Sequence, residues 1–157
     1  KKVKLLDLKK SEKRIKTAIK ASKDNNNILI FARTDALSVG SIKESIKRAK
    51  MFKKLGAHAV FITGINTLGE IKLIKQELKR IPLIINITQD IKFDLLDIKK
   101  NDFKFILYSQ QLLNSYIDTV NETLKLIKNN KKPKFKNKAS DTLALLNFKK
   151  YLSIENN

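Results

Sequence analysis

The sequence predicts an α/β fold built on a parallel sheet. Short apolar runs of strand type alternate with amphipathic helical patterns almost without interruption along the chain. The strand runs are apolar on both faces, the pattern of parallel strands buried beneath helices. The helices between them open on capping signals and stop at glycine or at turn residues. A (β/α) barrel and a doubly wound sheet both fit these features.

The elements follow in order. Residues 11–22 form a helix with Ile15, Ala18 and Ile19 on one face, ended by the turn Asp24-Asn25-Asn26-Asn27. Residues 28–32 form a buried strand. Residues 41–55 form a helix, with Ser41 as N-cap, Glu44 completing a capping box, and an apolar stripe of Ile42, Ile46, Ala49 and Phe52. Gly56 stops that helix, and 57–62 form the next strand. A second capping box, Thr67 with Glu70, opens a helix over 67–79. Pro82 precedes a strand at 83–87, and a short helix at 93–100 leads to a strand at 103–107. A long helix covers 110–128. Residues 131–139 form a basic linker, and a terminal helix over 140–152 carries Leu143, Leu145, Leu146, Phe148 and Tyr151. The expected organisation is a domain at 1–130, the linker, and a C-terminal segment at 140–157.

Composition narrows the chemistry. The 157 residues suffice for one domain with a core, and 42% hydrophobic content argues against disorder. With no cysteine there is neither a disulfide nor thiolate chemistry, and a single histidine, His58, makes no histidine metal cluster. His58 stands early in its strand, away from the ligand face, and reads as structural. No apolar run approaches the roughly 20 residues of a membrane helix, and a cytoplasmic location is the default expectation. The first residue is Lys1 rather than Met, so the chain is expected to be a piece of a longer polypeptide. The net charge of +19 is almost all lysine on polar helix faces, such as Lys43, Lys47, Lys50, Lys53 and Lys54. Lysine, asparagine and isoleucine together follow AT-rich coding, and no aromatics are interleaved with the lysines to stack bases. The charge therefore predicts weak attraction to polyanions, not specific nucleic-acid binding.

Function is expected at the carboxyl ends of the strands, where parallel α/β folds meet ligands. Those ends offer Arg33 with Asp35, Thr63-Gly64, Asn86 with Thr88, and Tyr108-Ser109. Arg33 is a planar fork suited to a carboxylate or phosphate, and an unpaired guanidinium at a buried strand end is costly enough to suggest a ligand. Asp35 alone is a poor metal site, and no histidine or cysteine base stands nearby.

The segment Ala32-Arg33-Thr34-Asp35-Ala36-Leu37 resembles the Ala-Arg-Thr-Asp-Ala motif of the isocitrate lyase and phosphoenolpyruvate mutase superfamily. Residues 42–61 are similar to its alanine-rich helix and following strand, and Pro82-Leu83-Ile84-Ile85-Asn86-Ile87-Thr88 resembles Pro-Ile-Leu-Ala-Asn-Ile-Thr of the methylisocitrate lyase branch. Lys4-Leu5-Leu6 and residues 14–19 resemble the helix before the arginine strand. The resemblance implies the C-terminal half of a (β/α)8 TIM barrel, with about four parallel strands and a last helix exchanged between subunits of a homo-oligomer. It implies Mg²⁺-assisted cleavage of a carbon–carbon bond in small 2-hydroxy or 2-oxo carboxylates. Arg33, Asn86 and Thr88 would bind substrate carboxylates, with Asp35, Thr63 and Ser109 in support. The metal aspartates and the Lys-Cys-Gly-His loop would lie upstream of Lys1, leaving no catalytic residue and no metal ligand in this chain. Where the lyase branch usually has Pro-Glu the chain has Ile62-Thr63, and Asn114 stands where an arginine is expected. Phosphoenolpyruvate mutase, oxaloacetate decarboxylase and a non-catalytic remnant are the alternatives.

Overall fold

The computed structural model describes residues 4–24, 28–135 and 139–146. The chain forms two compact units, Lys1–Leu112 and Leu113–Asn157. The first alternates α1 (Leu8–Asp24), β1 (Phe31–Thr34), α2 (Ile42–Lys54), β2 (Ala59–Ile62), α3 (Leu68–Glu77), β3 (Leu83–Asn86), α4 (Leu95–Lys100) and β4 (Phe105–Leu107). The four strands are parallel and lie in the order β1-β2-β3-β4. Then come α5 (Gln111–Lys128) and α6 (Ala139–Leu145). None of the residues of α5 is buried, and Leu143, Leu145 and Leu146 at the end of α6 are exposed. The remainder of the expected terminal helix, including Phe148 and Tyr151, lies outside the described residues.

Side-chain alternation decides what each strand does. The register pairs Ala32 with Val60 and Val60 with Leu83. These residues, with Ile62 and Ile85, join Ala49 and Phe52 of α2, Ile71 and Ile74 of α3, and Ile98 of α4 in one buried core. The other register class aligns Arg33 with Phe61, Phe61 with Ile84, and Ile84 with Phe105. This class forms the opposite face. On it the rings of Phe31 and Phe105 meet at 4.8 Å between centroids, although β2 and β3 lie between their strands. In a flat sheet those strands would stand about 14 Å apart. The sheet is therefore curled, with Phe31, Arg33, Phe61, Ile84, Asn86 and Phe105 on its concave side, as a segment of barrel wall requires.

The two-sided burial expected of the strands is corrected here. Phe31 remains 42% exposed, and all three residues of β4 are exposed. The departure is confined to the edge strands: the central β2 and β3 are largely buried on both faces, with Ile84 on the concave side only 3% exposed, whereas β1 and β4 each have a neighbour on one side only. The first strand also starts later than expected. Ile28 and Leu29 are exposed, and pairing with β2 begins at Phe31. Just before it, the His58 N–H donates to the Ile30 carbonyl at 2.9 Å, and His58 Nδ1 accepts from the Ile30 N–H at 2.9 Å. That exchange gives His58 the structural role its position suggested.

Helix starts follow their caps. α1 begins three residues before the expected Ser11 because the Asp7 carboxylate accepts from the Lys10 N–H at 2.8 Å. Thr67 and Glu70 form the full reciprocal box, as do Asp94 and Asp97. At α2 only half of the expected box exists. Ser41 accepts from the Glu44 N–H, but the Glu44 carboxylate turns to Arg48 Nε at 2.7 Å. Arg48 is buried and also donates to the Leu6 carbonyl at 2.8 Å, tying the segment before α1 to α2. Among the described residues, no helix is long and apolar enough to cross a membrane.

Removing the Arg48 side chain leaves the Glu44 carboxylate and the Leu6 carbonyl without their partner. Arg48→Ala is expected to cost about 3 kcal/mol, measured by urea unfolding, whereas Lys47→Ala on the exposed face should cost less than about 0.5 kcal/mol.

Candidate carboxylate site at the strand ends

The site starts from Arg33, a concave-face residue of β1. Its guanidinium stands 5.4 Å above the Phe61 ring, its register neighbour, and its Nε donates to Asp35 Oδ1 at 2.8 Å. The side chain is 60% exposed. The expectation of an unpaired, buried guanidinium is thereby corrected. β1 runs on through Thr34, the odd-numbered residues face the uncovered side, and the aspartate two residues on reaches back to the arginine. With Nε engaged, the two Nη groups remain as an open fork.

Asp35 is the junction of the first cluster. Its Oδ1 accepts from Arg33 and also from Thr63 Oγ1 at 2.6 Å. Thr63 Oγ1 stands 3.3 Å from Ser38 Oγ and 3.3 Å from the Thr34 carbonyl. The loop after β1 is thus laced to the residue after β2. Gly64 has φ +83, and a Cβ there would stand 2.5 Å from Ser38 Oγ, so glycine permits this close approach. Partial burial raises the Asp35 pKa, but the hydrogen bonds from Thr63 and Arg33 and the charge of Arg33 outweigh it and hold the carboxyl below its ordinary value.

The second cluster follows β3 and β4. Ser109 Oγ donates to Asn86 Oδ1 at 2.9 Å, and Gln111 Nε2 donates to the Ile87 carbonyl. Asn86 is thereby held by the residues after β4, with its amide N–H groups left to donate elsewhere. Thr88, just beyond β3, is partly buried. Arg33, Asp35 and Thr63 therefore form one cluster and Asn86 with Ser109 another, both at the carboxyl ends of the strands. Sequence reasoning missed Ser38 and Gln111. Gly64 was the available sign of a loop packed closely against the residue after β2.

The donor set does not suit a divalent cation. Among the described residues, no group of three or more Asp, Glu, His or Cys side chains could hold a metal ion, and Asp35 is committed to Arg33 and Thr63.

Residues 1–128 match the phosphoenolpyruvate phosphomutase family. The chain belongs to that family. Its relatives include 2-methylisocitrate lyase of Shewanella oneidensis, 36% identical over 76 residues, a match covering 48% of this chain and 25% of the relative. Oxaloacetate decarboxylase of a Bradyrhizobium species is 24% identical over 130 residues, covering 83% of this chain and 44% of the relative. Oxaloacetate acetylhydrolase, solved with the product oxalate, superposes with a TM-score of 0.85 at 18% identity, covering 98% of this chain and 55% of that one. Phosphonopyruvate hydrolase, solved with oxalate and Mg²⁺, superposes at 0.79 and 18% identity, covering 96% and 56%. The family member described here is thus a (β/α)-barrel-type chain spanning less than half the length of these curated relatives and about half of these solved ones.

Two outcomes test the site's framework. A folded-state pKa held low contributes stability that is present above the unfolded value, about 3.9, and is lost as the pH falls through the folded value. The stability gap between wild type and Asp35→Asn should therefore be larger at neutral pH than near pH 3 in urea titrations. Gly64→Ala must adopt a strained φ and displace Ser38, and should cost about 1–2 kcal/mol.

Proposed function

We propose that this chain supplies the carboxylate-binding wall of a Mg²⁺-dependent carbon–carbon lyase of the methylisocitrate lyase type. The observation that carries this reading is the Arg33 guanidinium, oriented through Nε by Asp35 at 2.8 Å and exposed on the concave face at the strand ends. Its open Nη fork suits one carboxylate of a small 2-oxo or 2-hydroxy acid. Asn86, braced by Ser109, and Thr88 supply hydrogen bonds to another carboxylate oxygen. The 36% identity to a 2-methylisocitrate lyase and the oxalate bound by two structural relatives support this substrate class.

In this reading the cation is held by residues other than those of this chain, and the role of the chain is to bind and orient. A fixed cation and neutral donors hold the anion and set its orientation. The active form is a homo-oligomer in which the C-terminal helix region is exchanged between subunits, and the exposed Leu143 and Leu145 on α6 suit such an exchange. Oxaloacetate decarboxylation is the second reading. It is favoured by the longer match, over 83% of this chain, to the Bradyrhizobium decarboxylase.

Oxalate is the probe for the shared site. Calorimetric titration should show binding to the wild-type chain, an affinity roughly 100-fold lower in Arg33→Ala, and one about tenfold lower in Asn86→Ala. Equal affinity in wild type and Arg33→Ala would overturn the assignment. In the whole protein, release of pyruvate from 2-methylisocitrate rather than from oxaloacetate separates the two readings.

A further inference from the structure

We infer that Thr63 is a positioning residue whose hydroxyl fixes the Asp35 carboxylate and, through it, the direction in which Arg33 presents its fork. This rests on the reading of Arg33 as the carboxylate anchor and deepens it. The contact from Thr63 Oγ1 to Asp35 Oδ1, at 2.6 Å, is shorter than the Arg33 contact to the same oxygen at 2.8 Å. A short hydroxyl-to-carboxylate bond is a charge-assisted one, stronger than a neutral pair.

The hydroxyl has a single proton, and the geometry shows where it is used. Thr63 Oγ1 is 2.6 Å from the Asp35 carboxylate but 3.3 Å from the Thr34 carbonyl, so the proton points mainly at Asp35. The remaining neighbour, Ser38 Oγ at 3.3 Å, can donate its own proton to Thr63. The chain of donation then runs from Ser38 through Thr63 to Asp35, and Asp35 receives Arg33 Nε–H. It needs Gly64, because a Cβ at that position would stand 2.5 Å from Ser38 Oγ and force it to move.

The alternative positions of Arg33 explain why such a brace matters. An exposed arginine side chain has many rotamers, and ordering it costs entropy at the moment a ligand binds. Two contacts restrain this one beforehand: the Phe61 ring under the guanidinium and the Asp35 carboxylate at Nε. Phe61 is held in β2 by strand pairing, whereas Asp35 follows the end of β1 and has no strand pairing of its own. Thr63 replaces that missing restraint. Among the described residues, the charged group that acts on Asp35 is Arg33, so the effect of the hydroxyl on Asp35 is read against a single charged neighbour.

Thr63→Val keeps the shape and removes the hydroxyl, and Thr63→Ser restores it. The readouts are the carbon NMR titration of the Asp35 carboxyl, assigned against Asp35→Asn, and oxalate affinity by calorimetry. In Thr63→Val the Asp35 midpoint should rise by up to roughly one unit and oxalate affinity should fall about tenfold, with Thr63→Ser returning both toward wild type. An Asp35 midpoint that stays at the wild-type value in Thr63→Val overturns the inference, whether or not oxalate binds. A failure of Thr63→Ser to restore the midpoint overturns it as well. Wild-type protein that binds oxalate no better than Arg33→Ala overturns the reading of Arg33, and the titration then decides the role of Thr63 by itself.

Discussion

The two-residue alternation of side chains across a curled parallel sheet is the constraint on which the other features depend. It sends Ala32, Val60, Ile62, Leu83 and Ile85 into the helix-covered core. It sends Phe31, Arg33, Phe61, Ile84 and Phe105 to the concave face. A shift of one residue in a strand would exchange that strand's two sets, and in β1 it would bury a guanidinium among isoleucines. The core thus fixes the register, and the register places Arg33 beside Phe61 with Asp35 within reach. The geometry of the candidate site is a consequence of apolar packing on the other side of the sheet.

The lysine surplus plays no part in that geometry. Most lysines sit on exposed helix faces, where charges in water interact weakly and are screened by salt. The charged groups with structural consequences are few, and each has a specific partner. Arg48 joins Glu44 and Leu6, and Lys50 reaches Glu77 at 2.7 Å to tie α2 to α3. Lys75 lies above the Phe103 ring and donates to the Asp102 carbonyl, and its partial burial lowers its pKa. A net charge of +19 therefore describes the solvent shell more than the fold.

Much of the fold was legible because its signals are local. The pairs Thr67 with Glu70 and Ser41 with Glu44 mark helix starts within one turn, and a run such as Leu83 to Ile85 is apolar enough to read as a strand. What could not be read depends on competition across the chain. Glu44 left its capping role because Arg48 offers a charged partner, and only the buried position of Arg48 makes that pairing dominate. Ile28 and Leu29 are as apolar as the strand that follows, but they lie before the point where β1 meets β2. The site shows the same division. Arg33, Asp35, Asn86 and Thr88 could be picked out by residue type at strand ends, and Ser38 could not, because its contact to Thr63 spans 25 residues.

The pairing of Asp35 with Arg33 also limits what this face can do. A general base works best with a pKa near the working pH. Asp35 is held below even the ordinary aspartate value, by the same contacts that orient Arg33. To take a proton or ligate a cation, the carboxylate would have to loosen its hold on the guanidinium. On the proposed reading the face holds an anion still. Carbon–carbon cleavage needs an electrophile for the developing enolate and an acid or base for the proton. Among the described residues at the strand ends, the braced Arg33 guanidinium and the Asn86 amide are donors, and on the proposed reading they seat a carboxylate.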